Sequence, residues 1–217
     1  MAFQKTMLRP RRTPLTLLLT PVALLAFGAP GGGEDLPPRQ AVAYTGVYKS
    51  TTSGKEKPWA DKWDFTKEDT VTITVSGGKS RWEQKSDGLV IIQDYPVKQS
   101  TEFGGRIPKG TATRVTYRIP PIRWELGYDV VAAATESKPE VLGQDTVAGQ
   151  SCTRLSYRST QYGTPEYCVA KNGIVLRFAN HSNNAEIRYE AVSVTPGTPD
   201  AKAFTIPTDL QINDRRF

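Results

Sequence analysis

The sequence is short of the residues that carry most metal and nucleophilic chemistry. It has one histidine, His181, and two cysteines, Cys152 and Cys168, in 217 residues. A zinc site needs clustered His and Cys ligands, and a redox pair needs C-x-x-C. Neither pattern is present, so neither a metal nor a cofactor is expected. Also missing are the Gly-x-Ser-x-Gly nucleophile elbow, the Walker loop, the dinucleotide fingerprint and His-Glu-x-x-His. Carboxylates are plentiful, but no spacing singles out a catalytic pair. The chain therefore reads as a non-enzyme. It also lacks an apolar run of bilayer length: Leu15 to Phe27 is the longest, Pro21 interrupts it, and a span needs roughly 20 residues.

That short run has another meaning. Lys5, Arg9, Arg11 and Arg12 precede it, and Ala26-Phe27-Gly28 follows with small residues at the −3 and −1 positions. This is the layout of a secretory signal peptide, 1–28, with cleavage after Gly28. Arg11-Arg12 also admits the twin-arginine route, although Pro14 stands where that signal favours an aromatic residue. No cysteine follows the apolar run, so a lipid anchor is not expected. The export reading changes the charge argument. Of 28 Lys and Arg, four lie in the signal, leaving 24 against 22 Asp and Glu, a balance of +2 rather than +6. Basicity concentrated in a targeting segment is no argument for nucleic-acid binding. The expected location is periplasmic or secreted.

Residues 29–40 are rich in Gly and Pro and read as a flexible leader. A single β domain is expected over 41–210, followed by a polar tail at 211–217. The first strand is read at 41–50, with a polar loop from Thr51 to Pro58. Trp59, Trp63 and Phe65 stand in a stretch that either starts a short helix or continues the sheet. In Val71 to Val75, Val71, Ile73 and Val75 share one face and the two threonines the other. Gly77-Gly78 and Asp87-Gly88 are hairpin dipeptides, separating strands at 79–85 and 89–95. Thr113 to Ile119 alternates again, with Val115, Tyr117 and Ile119 together. Residues 121–136 are the best helix candidate. Strands resume at 140–147, 150–158, 166–170, 174–179 and 185–194, and Phe204-Thr205-Ile206-Pro207 is expected to pack onto the sheet. Short consecutive strands with tight turns imply an antiparallel meander.

Cys152 and Cys168 are equidistant from Thr160. A symmetric hairpin would place them opposite each other, about 4.5–5.5 Å apart at Cα, within disulfide range. Both fall on the face opposite Leu155, Tyr157, Tyr167 and Val169. Pro165 complicates this register, because it has no N–H to give to a ladder. His181 lies in the polar stretch 180–184 and reads as a solvated turn residue, since catalysis by histidine needs an orienting carboxylate and a nucleophile beside it. The same stretch matches the N-glycosylation pattern. Trp59, Trp63, Trp82 and Trp124 read either as core or as the lining of a ligand cavity.

Three strings carry a family resemblance: Val147 to Leu155 (VAGQSCTRL), Glu166 to Gly173 (EYCVAKNG) and Ala203 to Pro207 (AFTIP). With the early hairpins Gly77 to Glu83 and Val90 to Tyr95, they resemble the LolA-like superfamily of periplasmic lipoprotein carriers. The resemblance covers roughly 70–210. It implies a mainly β fold, a curved antiparallel sheet forming an open half-barrel with one or two covering helices. It also implies a concave side that shelters acyl chains. Val71, Ile73, Val75, Val115, Tyr117, Leu155, Tyr157, Tyr167 and Val169 then either line a cavity or form solid core. The expected function is a carrier or sensor of a hydrophobic, lipid-like ligand, with a lipid or lipoprotein acyl chain as partner. The alternative is a structural or protein-interaction module of the envelope, in which a sheet edge accepts a partner strand.

Overall fold

The computed structural model describes residues 36–54, 65–118, 124–128, 138–158, 163–182 and 185–216. Among them are twelve strands: β1 (Tyr44–Gly54), β2 (Phe65–Ser76), β3 (Lys79–Gln84), β4 (Val90–Asp94), β5 (Gln99–Phe103), β6 (Thr111–Thr116), β7 (Glu140–Val147), β8 (Gln150–Ser156), β9 (Thr164–Ala170), β10 (Val175–His181), β11 (Ala185–Pro196) and β12 (Gln211–Arg216). They form one open sheet, ordered β12-β6-β5-β4-β3-β2-β1-β11-β10-β9-β8-β7, with β12 and β7 at its edges. The mainly β, open-sheet fold expected from the sequence is the fold observed.

Turn chemistry explains the meander. Gly77 and Gly78 have φ of 57° and 78°, the two left-handed positions a two-residue hairpin needs to match strand twist. Alternation then sorts the side chains. Register pairs Ile73 with Trp82 and Trp82 with Ile91 on one face, and Thr74 with Arg81 and Arg81 with Ile92 on the other. The two hydrophobic clusters therefore sit on opposite faces. The larger one joins Tyr44, Tyr48, Val71, Ile73 and Val75 to Leu155, Tyr157, Tyr167 and Val169 under Trp124. The smaller one joins Ile92, Phe103 and Ala112 and is covered by Phe204, Ile206 and Leu210. A 3-10 turn at Ala201–Phe204, capped by Asp200 accepting from the Lys202 N–H, brings that cover in.

Several sequence expectations need correction. The segment 211–217, expected as a polar tail, supplies β12 at 211–216, because its backbone pairs with β6 while its side chains stay exposed. That pair is parallel, so the sheet is not a pure meander. β1 runs on to Gly54, so Thr51 to Gly54 is strand rather than loop, and Phe65 begins β2. Trp59, Trp63 and most of the helix expected at 121–136 lie outside the described residues. Its described part is a 3-10 turn, Trp124–Leu126.

The signal peptide expected at 1–28 and residues 29–35 of the expected leader lie outside the described residues, while residues 36–40 are docked rather than loose. Tyr128 Oη donates to the Pro37 carbonyl at 2.6 Å, and the Ala41 N–H donates to the Leu126 carbonyl at 3.0 Å. Gly127 makes this approach possible. A Cβ there would stand 2.1 Å from the Arg39 carbonyl oxygen, at a φ of +126°. Gly127→Ala is expected to cost about 2 kcal/mol or more through overlap and backbone strain. Urea denaturation of the two proteins checks this, and unchanged stability would mean that residues 37–41 do not dock as described.

Candidate functional site

The aromatic face is organised around Trp124. Its ring stacks on Phe178 with centroids 5.3 Å apart, and meets Tyr48 and Trp82 edge-on at 5.5 and 5.6 Å. Tyr189 closes the group 5.0 Å from Trp124, and Phe178 continues through Tyr167 to Tyr157. Offset and edge-to-face pairs of this kind add to the stabilisation from burial alone.

A polar row runs through this apolar setting. The fully buried Glu125 follows Trp124, and its Oε1 accepts from Ser80 Oγ at 2.8 Å and from Trp82 Nε1 at 2.9 Å. Tyr44 Oη donates to the Glu125 carbonyl, and Tyr48 Oη to that of Val175. Burial pushes the Tyr44, Tyr48 and Tyr167 hydroxyls above their ordinary range, so all three stay protonated, and those of Tyr44 and Tyr48 donate. Register continues the row from Ser80 to Gln93 to Ser100. Both Gln93 and Ser100 are buried, and among the described residues Gln93 Nε2 and Ser100 Oγ have no hydrogen-bond partner. Ser80 Oγ lies 3.5 Å from Gln93 Oε1. Whichever way that amide is turned, one of its polar atoms is left over, which is costly inside a protein.

Seven of the nine residues read as cavity lining or core, namely Val71, Ile73, Val75, Leu155, Tyr157, Tyr167 and Val169, join the Trp124 cluster as packed side chains. Val115 is buried on β6, and Tyr117 is half-buried just beyond it. Of the nine, only Tyr167 borders either of two open concavities. Those lie on the opposite, charged face. One of about 210 Å³ is lined by Arg154, Glu166, Cys168, Arg177, His181 and Arg188, among others. The second, of about 390 Å³, is lined by Lys49, Thr51, Glu186, Arg188 and Glu190, among others. Glu186 and Arg188 border both, so the two run together as a trough across β8, β9, β10, β11 and β1.

The trough is laced by ion pairs. Arg177 reaches Asp145 at 2.7 Å and Glu190 at 2.9 Å, and Arg188 also pairs with Glu190. Arg154 faces Glu166 at 3.9 Å, and Lys49 holds Glu68 at 2.7 Å. His181, expected in a solvated turn, closes β10 instead and faces Glu186 at 3.7 Å. The hydrogen bond from Arg177 holds the Asp145 carboxyl below its ordinary 3.8. Partial burial acts the other way on Glu190, but its bonds to Arg188 and Arg177 still lower it. A carboxyl lowered in the folded state stabilises fully above its ordinary value and loses that contribution as pH falls through the lowered one. Arg177→Met is therefore expected to flatten the loss of stability in urea melts between pH 5 and 3. Parallel pH profiles for variant and wild type would contradict it.

The floor of the trough holds the disulfide. Cys152 and Cys168 are bonded, with Cα atoms 5.3 Å apart. They are not directly opposed, as the symmetric hairpin predicted. Cys152 pairs with Ala170, and Cys168 with Arg154. Pro165 takes part in the shifted register. It has no N–H, but its carbonyl accepts from the Tyr157 N–H at 3.1 Å. That pairing centres the hairpin one residue later and makes the cysteines diagonal neighbours. Their placement opposite Leu155 and Tyr167 holds. A formed disulfide favours an extracytoplasmic protein. Among the described residues, no helix is long and apolar enough to cross a membrane, and no three or more His, Cys, Asp or Glu converge as metal ligands.

Sequence reasoning missed Glu125, Ser80, Gln93 and Ser100, and it left the charged face unexamined. Polar residues at inward strand positions, such as Ser80 and Gln93, were the available signal.

No protein-family model matches the sequence, and no curated protein matches it. Solved structures of similar fold include an uncharacterized conserved protein from Thermus thermophilus, at 13% identity over 78% of this chain and 91% of that one, TM-score 0.48. MucB is similar at 14% identity over 80% of this chain, TM-score 0.49, and this chain spans only 60% of it. A domain described as an outer membrane lipoprotein-sorting protein from Vibrio parahaemolyticus is similar at 10% identity, over 75% of this chain and 89% of that one, TM-score 0.35. These likenesses lie below the level at which they bear on activity or partner.

Proposed function

We propose that this chain is an exported, non-enzymatic binding module of the cell envelope, whose charged trough engages a partner protein. The observation that carries this reading is the division of labour between the two faces. The residues expected to shelter an acyl chain are mostly packed under Trp124, while the open concavities are lined by Lys49, Arg154, Arg177 and Arg188 with their acidic partners. Arginine-rich, mixed-charge surfaces suit protein recognition, where complementarity sets partner choice and association rate. The LolA-like strings and the signal-peptide layout of 1–28 belong to the same reading, in which the encounter is periplasmic.

The test is retention of an envelope protein by the purified chain, compared with Arg154→Glu and Arg188→Glu. One stoichiometric partner is expected, lost from both variants and released as salt rises from about 0.1 to 0.5 M, as screening requires. A partner held equally by both variants, or none at all, would overturn the trough as its site.

A second reading is favoured by one feature, the buried Gln93 and Ser100 with unsatisfied polar atoms beside Val115 on the aromatic face. Such atoms suit the polar head of a lipid-like ligand, which makes the chain a carrier or sensor. Native mass spectrometry of protein from its own host distinguishes the two. A lipid adduct that disappears in Gln93→Leu supports the carrier, and an adduct-free mass counts against it.

A further inference from the structure

The β6 edge of the sheet is occupied in an unusual way. β12 lies parallel to β6, whereas the other ladders among the described residues are antiparallel. All six β12 residues are exposed, and neither hydrophobic cluster includes any of them. What holds β12 is its backbone ladder, including the Gln211 N–H to the Gly110 carbonyl at 2.9 Å, and a two-pronged pair from Arg114 to Asp214 at 2.7 and 3.2 Å. Exposed pairs contribute little, and parallel ladders are slightly weaker than antiparallel ones.

Everything around β12 is anchored. β6 buries Ala112 and Val115 and pairs along its far side with β5. The preceding segment is pinned by Phe204, Ile206 and Leu210 on the smaller cluster, and by Arg81 Nη1 donating to the Ala203 carbonyl at 3.1 Å. If β12 left, the chain would hinge after Leu210 and the β6 edge would stay formed. The other edge differs. β7 buries Val147, carries a bulge between Val141 and Gly143, and is tied through Asp145 to Arg177. Bulges and charges of this kind protect an edge from pairing.

We propose that β12 is an exchangeable guard strand, and that the β6 edge it covers binds an extended segment of a partner protein running parallel to β6. β12 itself supplies the template for that segment. Ile212 lies opposite Ala112 and Asp214 opposite Arg114, so the segment carries an apolar residue two positions before an acidic one. Its backbone supplies the ladder and these two side chains the selectivity, as in strand addition generally. This surface is separate from the trough, and its failure would leave the trough reading untouched.

The test uses a fluorescein-labelled peptide of residues 209–217 and the purified protein, read by anisotropy. Gln211 directs its N–H toward β6, so alternation directs that of Asn213 the same way, and Asn213→Pro removes a ladder bond from the guard. Weakening an intramolecular competitor is expected to tighten peptide binding about tenfold. Asp214→Lys loosens the guard through its side chain alone and is expected to tighten binding about threefold, which keeps the test valid if the proline variant misfolds. A peptide carrying lysine in place of the Asp214 aspartate should bind more weakly to both variants. In hydrogen exchange, β12 amides should lose protection well before those of β5. Equal peptide binding by wild type and both variants would overturn the proposal. So would equal protection of β12 and β5, or a dimer exchanging β12 between two copies.

Discussion

Replacing Trp124 with alanine is expected to destabilise the protein by about 3–5 kcal/mol, the range for truncating a large buried aromatic. Trp124 is 6% exposed and touches Tyr48, Trp82, Phe178 and Tyr189, which come from four different strands. Losing the ring removes its own burial and leaves a void that those four rings cannot all collapse into. It also loosens the turn that carries Glu125, and with it the bonds from Ser80 and Trp82. Denaturant melts measure the stability, and near-ultraviolet circular dichroism should lose much of its aromatic signal. Trp124→Phe retains part of the packing and should lie between. A loss below about 1 kcal/mol would mean that Trp124 covers the sheet without holding it, since such small losses are typical of surface positions.

The second large effect concerns the disulfide. Replacing Cys152 and Cys168 together with serine is expected to cost about 3 kcal/mol, because the bond closes a short loop and restricts the unfolded chain. The sequence separation is 16 residues. Both cysteines are buried, so two serine hydroxyls in their place add a desolvation cost. Wild type melted in reductant should lose stability in the same direction, though less, because its thiols remain compatible with an apolar setting. The β8–β9 hairpin should also gain amide exchange first, being next to the edge strand β7. Coincident melts for oxidised wild type and the double variant would contradict this account.

The disulfide illustrates how far local rules reach. Two cysteines in an export-type sequence, on one face of neighbouring strands, were enough to pair them. The register between them was not legible, because it depends on how the hairpin closes, with the Pro165 carbonyl meeting the Tyr157 N–H. Strand β5 shows the same limit from another side. Gln99 to Phe103 has no apolar alternation, and it is a strand because β4 and β6 present ladders on both its edges.

What the sequence determined by itself was the set of short-range features: glycine-bearing turns, alternating strands and one disulfide. These follow from backbone sterics and side-chain period, which act within a few residues. What the tertiary structure alone decided was what covers each face. Trp124 and Glu125 were part of an expected helix, and their role arises where β1, β3, β10 and β11 meet them. The trough draws Lys49, Arg154, Arg177 and Arg188 from four strands, with Lys49 more than a hundred residues from the others. β12 is a polar hexapeptide until β6 offers it an edge. Contacts at such separations depend on sheet order, and no local pattern encodes sheet order, because every strand carries the same unsatisfied backbone groups to either neighbour.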